Sequence, residues 1–136
     1  METDTEDTDR IVLKAFQDER GALSVGETGA EVPFPMRRFY VIKDVPENAV
    51  RGAHAHKKTE QALFCLQGSL TLTMDDGTRK ETRTIGPIPE GTLLRSRVWH
   101  EMSGFSPDCI VLIVADEPYD ESDYLREYPA FLDFVR

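Results

Sequence analysis

A hairpin signal in the middle of the chain limits the possible folds more than any other feature. Leu70, Leu72 and Met74 alternate with polar residues, so their side chains lie on one face of an extended strand. Residues 75–77, Asp-Asp-Gly, follow at once, and Asp-Gly is a strong signal for a tight turn between two strands. The next segment, TRKETRTI, alternates again. The pattern therefore predicts a β-hairpin.

Short strands of the same kind account for most of the remaining sequence. We expect them at IVLKAF, ALSVGE, PMRRFYVIKDV, ALFCLQG and CIVLIVA, the last being fully buried. Many short strands separated by Gly, Pro and Asp turns are typical of a β-sandwich or β-barrel. The final segment, ESDYLREYPAFLDFVR, predicts a short helix that caps the barrel, with one face formed by Tyr124, Leu125, Tyr128 and Phe131.

The length and organisation of the chain indicate one domain. A chain of 136 residues can bury a real core, and no repeat or linker divides residues 10–136. Residues 1–9 carry five acids and no base, so we expect them to be disordered. The N-terminus is neither a signal peptide nor a transit peptide, and no apolar run approaches the ~20 residues that span a bilayer. We therefore expect a cytoplasmic protein with no membrane contact.

The distribution of charge favours a small anionic ligand over a nucleic acid. The net charge is −9, and the excess of acids lies mostly at the two ends of the chain. The central region keeps enough arginines to hold an anionic small molecule, namely Arg20, Arg37, Arg38, Arg51, Arg95 and Arg97. Cys65 and Cys109 lie in apolar runs, and in a reducing compartment they are best interpreted as small buried residues without a disulfide.

Two of the three histidines lie in the segment RGAHAHKKTEQALFCLQG, residues 51–68. Side chains two residues apart on a strand project to the same face, so His54 and His56 point together, either into the barrel or to solvent. The third histidine, His100, follows the only tryptophan in VWHEM. It either packs in the core or faces the same site.

The histidine pair could bind a metal or transfer protons. His54-x-His56-x3-Glu60 resembles the first metal-binding motif of the cupin superfamily, and two imidazoles with a carboxylate can form an iron site. The expected last ligand is missing, because leucines follow the Pro-x-Gly turn at residues 89–91. A neutral imidazole, with a pKa of about 6.5, can take and return a proton at cellular pH. The pattern therefore favours transfer of a proton between neighbouring carbons.

Three longer segments carry a resemblance to a known family. RGAHAHKKTEQALFCLQGS, VWHEM with SPDCIVLIVA, and YDESDYLREY resemble the cupin-type nucleotide-sugar 3,4-ketoisomerases, and the motif RGxHAHK is specific to this group. The resemblance implies an all-β fold, a cupin jelly-roll antiparallel β-barrel with a short C-terminal helical segment. It implies a homodimer that exchanges N-terminal strands. It also implies an isomerase without metal or other cofactor that moves the ketone of dTDP-4-keto-6-deoxyglucose from C4 to C3 through an enediol.

The resemblance further implies roles for eight residues. His54 is the first candidate for the base at C3 and His56 for its partner, although these roles could be exchanged. Tyr40 could donate a hydrogen bond to the enediolate. Arg51 could clamp the substrate if a bulge in its strand turns it toward the site. The other candidates are expected to bind substrate: Arg38 and Arg126 near the nucleotide and pyrophosphate, Arg20 near the sugar, and His100, which together with Arg20 is typical of the branch giving the galacto product.

Three rival functions stay open at this point. A metal-dependent cupin enzyme would use His54, His56 and Glu60 as ligands. A non-catalytic cupin would bind the dTDP-sugar without turnover. An epimerase similar to the dTDP-sugar 3,5-epimerases would need a histidine–aspartate dyad, and the sequence does not indicate where one lies.

Overall fold

The computed structural model describes residues 9–136, and the predicted disorder of residues 1–9 falls outside this range except for Asp9. The described chain consists mainly of short strands, as the alternating pattern predicts. In chain order they are β1 (Arg10–Val12), β2 (Lys14–Asp18), β3 (Gly21–Val25), β4 (Arg38–Lys43), β5 (Arg51–His56), β6 (Gln61–Gln67), β7 (Leu70–Asp75), β8 (Lys80–Ile85), β9 (Glu90–Leu94), β10 (Trp99–Ser103), β11 (Ile110–Ala115) and β12 (Tyr124–Leu125). A 3₁₀ turn, Glu121–Asp123, precedes β12, and helix α1 (Tyr128–Val135) follows it.

The strands form two five-stranded antiparallel sheets. The first sheet has the order β1-β9-β6-β11-β4, and the second has the order β12-β5-β10-β7-β8. The predicted hairpin is β7–β8, paired in register from Leu70 opposite Ile85 to Asp75 opposite Lys80. Within residues 9–136 the two sheets stay separate and do not close into a barrel by hydrogen bonding. The predicted all-β jelly roll is therefore confirmed, with two facing layers in place of a closed barrel.

The main core fills the space between the two sheets. Leu63 from β6 and Ile113 from β11 meet Leu72 from β7 and Met102 from β10, and all four are buried. Alternation brings these side chains to the inner faces, since every second residue of a strand points the same way. Cys65 and Cys109 belong to the same core as free thiols, with 3.9 Å between their Sγ atoms.

The outer face of the first sheet is also covered. Val32 and Phe34, from the segment between β3 and β4, pack with Phe64 and Val114 of the sheet. Strand β11 is therefore buried on both faces, which explains why CIVLIVA is apolar throughout.

Helix α1 covers the outer face of the second sheet. Phe131 is fully buried against Trp99 of β10 and Ala55 of β5. The predicted helix face was partly wrong, because Tyr124 and Leu125 form β12, and the helix begins only at Tyr128. Pro129 lies in the first turn, where its missing N–H breaks no helical hydrogen bond. No helix within residues 9–136 is long and apolar enough to cross a membrane.

The β2–β3 hairpin stands apart from both sheets. Its two strands pair only with each other in the described chain. Phe16 and Leu23 are each 59% exposed. The hairpin therefore presents apolar side chains that no other part of residues 9–136 covers.

Candidate active site

A bulge in β5 decides which of its side chains face the interior. Gly52 and Ala53 both have positive φ, at 84° and 58°. The register with β10 shifts at the same point, so Ala53 has no partner there. The remaining pairs are Arg51 with Met102, Gly52 with Glu101, and His54 with His100. Met102 and His100 are buried on the inner face of β10, so Arg51 and His54 both turn inward beside them. The strand is therefore bulged, as the sequence analysis required if Arg51 was to face the site.

Arg51 and His54 border a cleft of about 330 Å³ between the two sheets. One wall comes from β4 and the other from β5 and β10, and β12 with the residue after it closes one end. The lining residues are Arg38, Phe39, Tyr40, Ile42, Arg51, Gly52, His54, Met102, Tyr124 and Arg126. Six of the eight residues predicted for the site lie here or directly behind it on β5, and they are His54, His56, Tyr40, Arg51, Arg38 and Arg126.

All three histidines of the chain meet at the inner end of this cleft, and we call them the histidine cluster: His54, His56 and His100. The ring of His54 lies 5.2 Å from that of His56 and 4.8 Å from that of His100, centroid to centroid. His54 lines the cleft. His56 and His100 are each 2% exposed and lie behind it. His100 is thus part of the cluster, but it does not line the cleft.

The cluster is neutral at physiological pH. Burial, and then the neighbouring His56, lower the pKa of His54 to about 4. Burial also lowers the pKa of His100, to about 3, with His54 and His56 adding to the effect. For His56, burial lowers the pKa, while its hydrogen bond to a carboxylate opposes this. Neutral imidazoles can accept protons, so the cluster can work as a base near pH 7.

Hydrogen bonds fix the same tautomer on the two histidines of β5. Nδ1 of His54 donates to the carbonyl oxygen of Gly52 at 3.0 Å, because a carbonyl can only accept. Nδ1 of His56 donates to Oδ2 of Asp123 at 2.9 Å. In both rings Nε2 therefore carries the lone pair. In His56 that atom is buried and has no hydrogen-bond partner within the part of the chain that the structure describes.

Asp123 was missed in the sequence analysis, which found no position for a histidine–aspartate dyad. It lies in the 3₁₀ turn and is 4% exposed. The contact with His56 joins residues 67 positions apart, so no local pattern announces it. The sequence analysis treated the C-terminal segment only as a region of excess acidic charge. The sequence carries no signal that separates this one buried carboxylate from its exposed neighbours.

Tyr40 faces the cleft from β4 and is held by a second residue that the sequence analysis missed. Its hydroxyl donates to Oε1 of Gln61 at 2.7 Å. Gln61 is fully buried, and its Nε2 has no hydrogen-bond partner among the described residues. Burial raises the pKa of Tyr40 to about 12. The phenol therefore keeps its proton at neutral pH and can donate a hydrogen bond to a ligand. The sequence did contain a signal for this residue, because Gln61 is a polar side chain at the start of the otherwise apolar strand QALFCLQ.

Three arginines give the cleft a positive rim. Arg38 lies over the rings of Tyr40 and Tyr119, at 5.6 and 5.7 Å. Arg126 lies 4.2 Å from the ring centre of Tyr124. It is also held by two hydrogen bonds to Glu121, of 2.8 and 2.9 Å. Arg51 is exposed beside them. Guanidinium groups grouped in this way suit an anionic ligand such as a phosphate.

Arg20 and Glu60 do not join this site within the chain. Arg20 lies in the β2–β3 hairpin, where its guanidinium pairs with Asp18 at 2.6 Å. The carboxylate of Glu60 accepts hydrogen bonds from the backbone and hydroxyl of Ser96. The ligand set His54, His56 and Glu60 is therefore not assembled. Among residues 9–136 no group of three or more His, Cys, Asp or Glu side chains is arranged to hold a metal ion.

Sequence comparison identifies relatives over most of the chain. Residues 6–136 match the family FdtA, described as "WxcM-like, C-terminal". The chain is 40% identical over 125 residues to TDP-4-oxo-6-deoxy-alpha-D-glucose-3,4-oxoisomerase of Aneurinibacillus thermoaerophilus, which covers 92% of this chain and 90% of that protein.

Solved structures show the same fold at high similarity. A histidine-to-asparagine mutant of the 3,4-ketoisomerase QdtA from Thermoanaerobacterium thermosaccharolyticum, in complex with TDP-4-keto-6-deoxyglucose, is 32% identical with a TM-score of 0.90, over 93% of this chain and 91% of that one. The dTDP-4-dehydrorhamnose 3,5-epimerase of Bacillus anthracis is 16% identical with a TM-score of 0.73, over 85% and 75% of the two chains. At that identity the second match shows a shared fold only.

Proposed function

Because this chain belongs to the FdtA, WxcM-like family, we propose that it is a sugar 3,4-ketoisomerase that converts TDP-4-keto-6-deoxyglucose to the TDP-linked 3-keto-6-deoxy sugar. The relatives at 40% and 32% identity carry this activity in their names. The observation that carries the proposal is the neutral histidine cluster at the inner end of a cleft with an arginine rim. Such a reaction belongs to the biosynthesis of dideoxy and amino sugars.

The reaction needs a base that removes a proton from C3 and a donor, in exchange with solvent, that delivers a proton to C4. The proton on C3 is acidic because C3 is adjacent to the C4 ketone. Nε2 of His54 takes this proton, and the electron pair of the broken C–H bond forms the C3–C4 double bond of an enediolate. The oxygen on C4 takes up a proton, the hydroxyl on C3 loses one and becomes the ketone, and C4 accepts a proton on carbon. His56 serves as the partner of His54, and the two roles can be exchanged.

The surrounding residues stabilise the charges in this sequence of steps. Tyr40 turns its hydroxyl from Gln61 to the enediolate oxygen and donates a hydrogen bond. Arg51 stabilises the developing negative charge. Arg38 and Arg126 bind the nucleotide and pyrophosphate through paired N–H donors. Arg20 and His100 influence the face of C4 that is protonated, and we assign the galacto product to this pair.

The proposal includes a homodimer with exchanged N-terminal strands, located in the cytoplasm and independent of metal. The exposed apolar side chains of the β2–β3 hairpin support the exchange, since a second subunit would remove them from water. The exchange would also move Arg20 away from its own chain and toward the other subunit.

The experiment is incubation of the purified protein with TDP-4-keto-6-deoxyglucose in deuterium oxide, followed by NMR of the sugar. We expect the ketone at C3 and deuterium at C4. Label at C3 and C5 with an unmoved ketone would instead indicate an epimerase. Binding of the sugar without turnover would indicate a non-catalytic protein. Loss of activity on treatment with a chelator, restored by a divalent metal, would indicate the metal-dependent alternative.

His54→Asn separates acid–base catalysis from binding. We expect turnover to fall about a hundredfold or more, the usual effect of losing a general base. Lys57→Asn is the matched control, because Lys57 is exposed just beyond the same strand and does not line the cleft. Equal turnover in the His54→Asn variant and the wild type would remove His54 from the mechanism.

A further inference from the structure

Three donors converge on the buried carboxylate of Asp123. The hydroxyl of Thr59 donates to Oδ2 at 2.5 Å, and Nδ1 of His56 donates to the same oxygen at 2.9 Å. The backbone N–H of Lys58 donates to Oδ1 at 2.8 Å. Burial opposes ionisation of Asp123, but these hydrogen bonds together hold its pKa below the usual value for aspartate. The carboxylate is therefore charged, and its oxygens can only accept.

The chain is arranged so that this carboxylate stays in place. Asp123 ends the 3₁₀ turn, and the side chain of the N-cap residue Asp120 accepts a hydrogen bond from the backbone N–H of Ser122 in that turn. The carbonyl of Asp123 accepts from the backbone N–H of Lys57 at 2.8 Å. Strand β12 then pairs with β5, with Tyr124 opposite His56. The turn is thus fixed to the end of β5 by backbone bonds on both sides of the His56 contact.

The geometry points to a positioning role: we propose that Asp123 holds His56 in the Nδ1–H tautomer, so that the Nε2 lone pair faces the histidine cluster and can take up a proton during the isomerisation. This inference rests on the proposed function, because it assigns Asp123 a part in that reaction. Nε2 of His56 is buried and has no hydrogen-bond partner in the described structure. A buried polar atom without a partner costs stability and is expected where it serves chemistry.

Asp123 also distinguishes the two histidines of β5. The acceptor for His54 is a neutral backbone carbonyl, whereas the acceptor for His56 is a carboxylate. A carboxylate stabilises an imidazolium more than a carbonyl does. When a proton leaves the sugar carbon, its electron pair remains in the enediolate, and a new N–H bond forms in the cluster. Nε2 of His54 holds the proton from carbon, while Nε2 of His56 takes the proton that the C3 hydroxyl loses. His56 gives this proton to the oxygen on C4 when its new N–H bond breaks, and Asp123 keeps its charge throughout.

The first test is ¹⁵N NMR of the imidazole nitrogens in the wild-type protein. The chain has only three histidines, so His54→Asn and His100→Gln variants assign the His56 signals by elimination. We expect His56 to be protonated at Nδ1 and unprotonated at Nε2. The Nε2–H tautomer in the wild type would overturn the proposal, and this measurement does not depend on whether any Asp123 variant folds.

The second test is Asp123→Asn. Its amide can donate to Nδ1 of His56 and so reverse the tautomer while nearly preserving shape. We expect kcat to fall about a hundredfold or more, with KM changed less than about threefold because Asp123 does not line the cleft. The ¹⁵N spectrum should show His56 protonated at Nε2. Circular dichroism verifies that the variant is folded.

Asp116→Asn is the matched control for the second test. Asp116 accepts from the backbone N–H of Glu60 at 2.9 Å, so it tethers the same loop without touching a histidine. We expect its kcat to stay within about twofold of the wild type. Equal losses in both variants, or full activity in a folded Asp123→Asn protein, would refute the positioning role. A wild-type protein without isomerase activity but with the expected tautomer would refute the proposed function and leave the Asp123–His56 pairing intact.

Discussion

The buried histidine cluster predicts a specific loss of stability in mild acid. His100 is fully buried, and its pKa is lowered from 6.5 to about 3, first by burial and then by His54 and His56. In the unfolded chain the same side chain regains its ordinary pKa. Between these two values the unfolded state binds a proton that the folded state does not. The contribution of His100 to stability is therefore complete above pH 6.5 and is lost as the pH falls toward 3.

The size of this loss follows from the linkage relation. At pH 4.5 the folded protein still keeps His100 neutral, whereas the unfolded chain is almost fully protonated there. Lowering the pH from 7 to 4.5 should cost about 2–3 kcal/mol through this one residue. A domain of this size has ~5–15 kcal/mol of stability in total, so the effect is measurable.

The assay is urea unfolding of the wild type and His100→Gln at several pH values between 7 and 4.5. Glutamine does not titrate, so we expect its free energy of unfolding to fall about 2–3 kcal/mol less than that of the wild type over this interval. Met102→Ala is the control, because Met102 is buried on the same strand and does not titrate. It should lower stability by a similar amount at every pH. Parallel pH dependence of the wild type and His100→Gln would show that His100 is not held neutral by the fold.

Two further predictions test the cleft and one of the turns. Tyr40→Phe should lower kcat about a hundredfold, the usual effect of losing one hydrogen-bond donor to an enediolate. The measurement is steady-state kinetics with the TDP-sugar, and an unchanged kcat would contradict the prediction. Gly68→Ala should lower the free energy of unfolding by about 2 kcal/mol or more, because Gly68 has a φ of +77° and an added Cβ would lie 2.3 Å from Oγ of Ser106. In urea unfolding, Gly86→Ala is the control, since nothing lies within 4 Å of its added Cβ, and equal losses in the two variants would contradict the steric argument.

The fold was predictable because its signals are local. Alternation of Leu70, Leu72 and Met74 before the Asp-Asp-Gly turn predicts β7 and β8. The register, with Asp75 opposite Lys80, leaves a loop of residues 76–79 that is longer than the tight Asp-Gly turn predicted from the sequence. The shared face of His54 and His56 was predictable for the same reason, since no irregularity lies between them. The separation of the sheets was not predictable, because closure depends on how the edge strands pair over the whole chain.

The parts of the site that sequence reasoning missed depend on contacts between distant segments. Asp123 reaches His56 across 67 positions, and Gln61 reaches Tyr40 across 21. The family resemblance supplied positions along the chain but no partners for them. It also could not show that Arg20 lies outside the cleft of its own chain. This depends on the position of a hairpin that, within residues 9–136, pairs with neither sheet.

The bulge in β5 explains how a base and a cation come to lie side by side. Ala53 takes a positive φ, a conformation that costs a non-glycine residue ~1–2 kcal/mol. In a regular strand Arg51 would face the same side as Ala53 and Ala55, and Ala55 is buried there against Phe131 of α1. The guanidinium would then lie under an apolar helix, where an unpaired charge is strongly unfavourable. The extra residue turns Arg51 into the cleft without changing the spacing of His54 and His56, so the anion-binding and proton-transfer groups of one short strand face the same ligand.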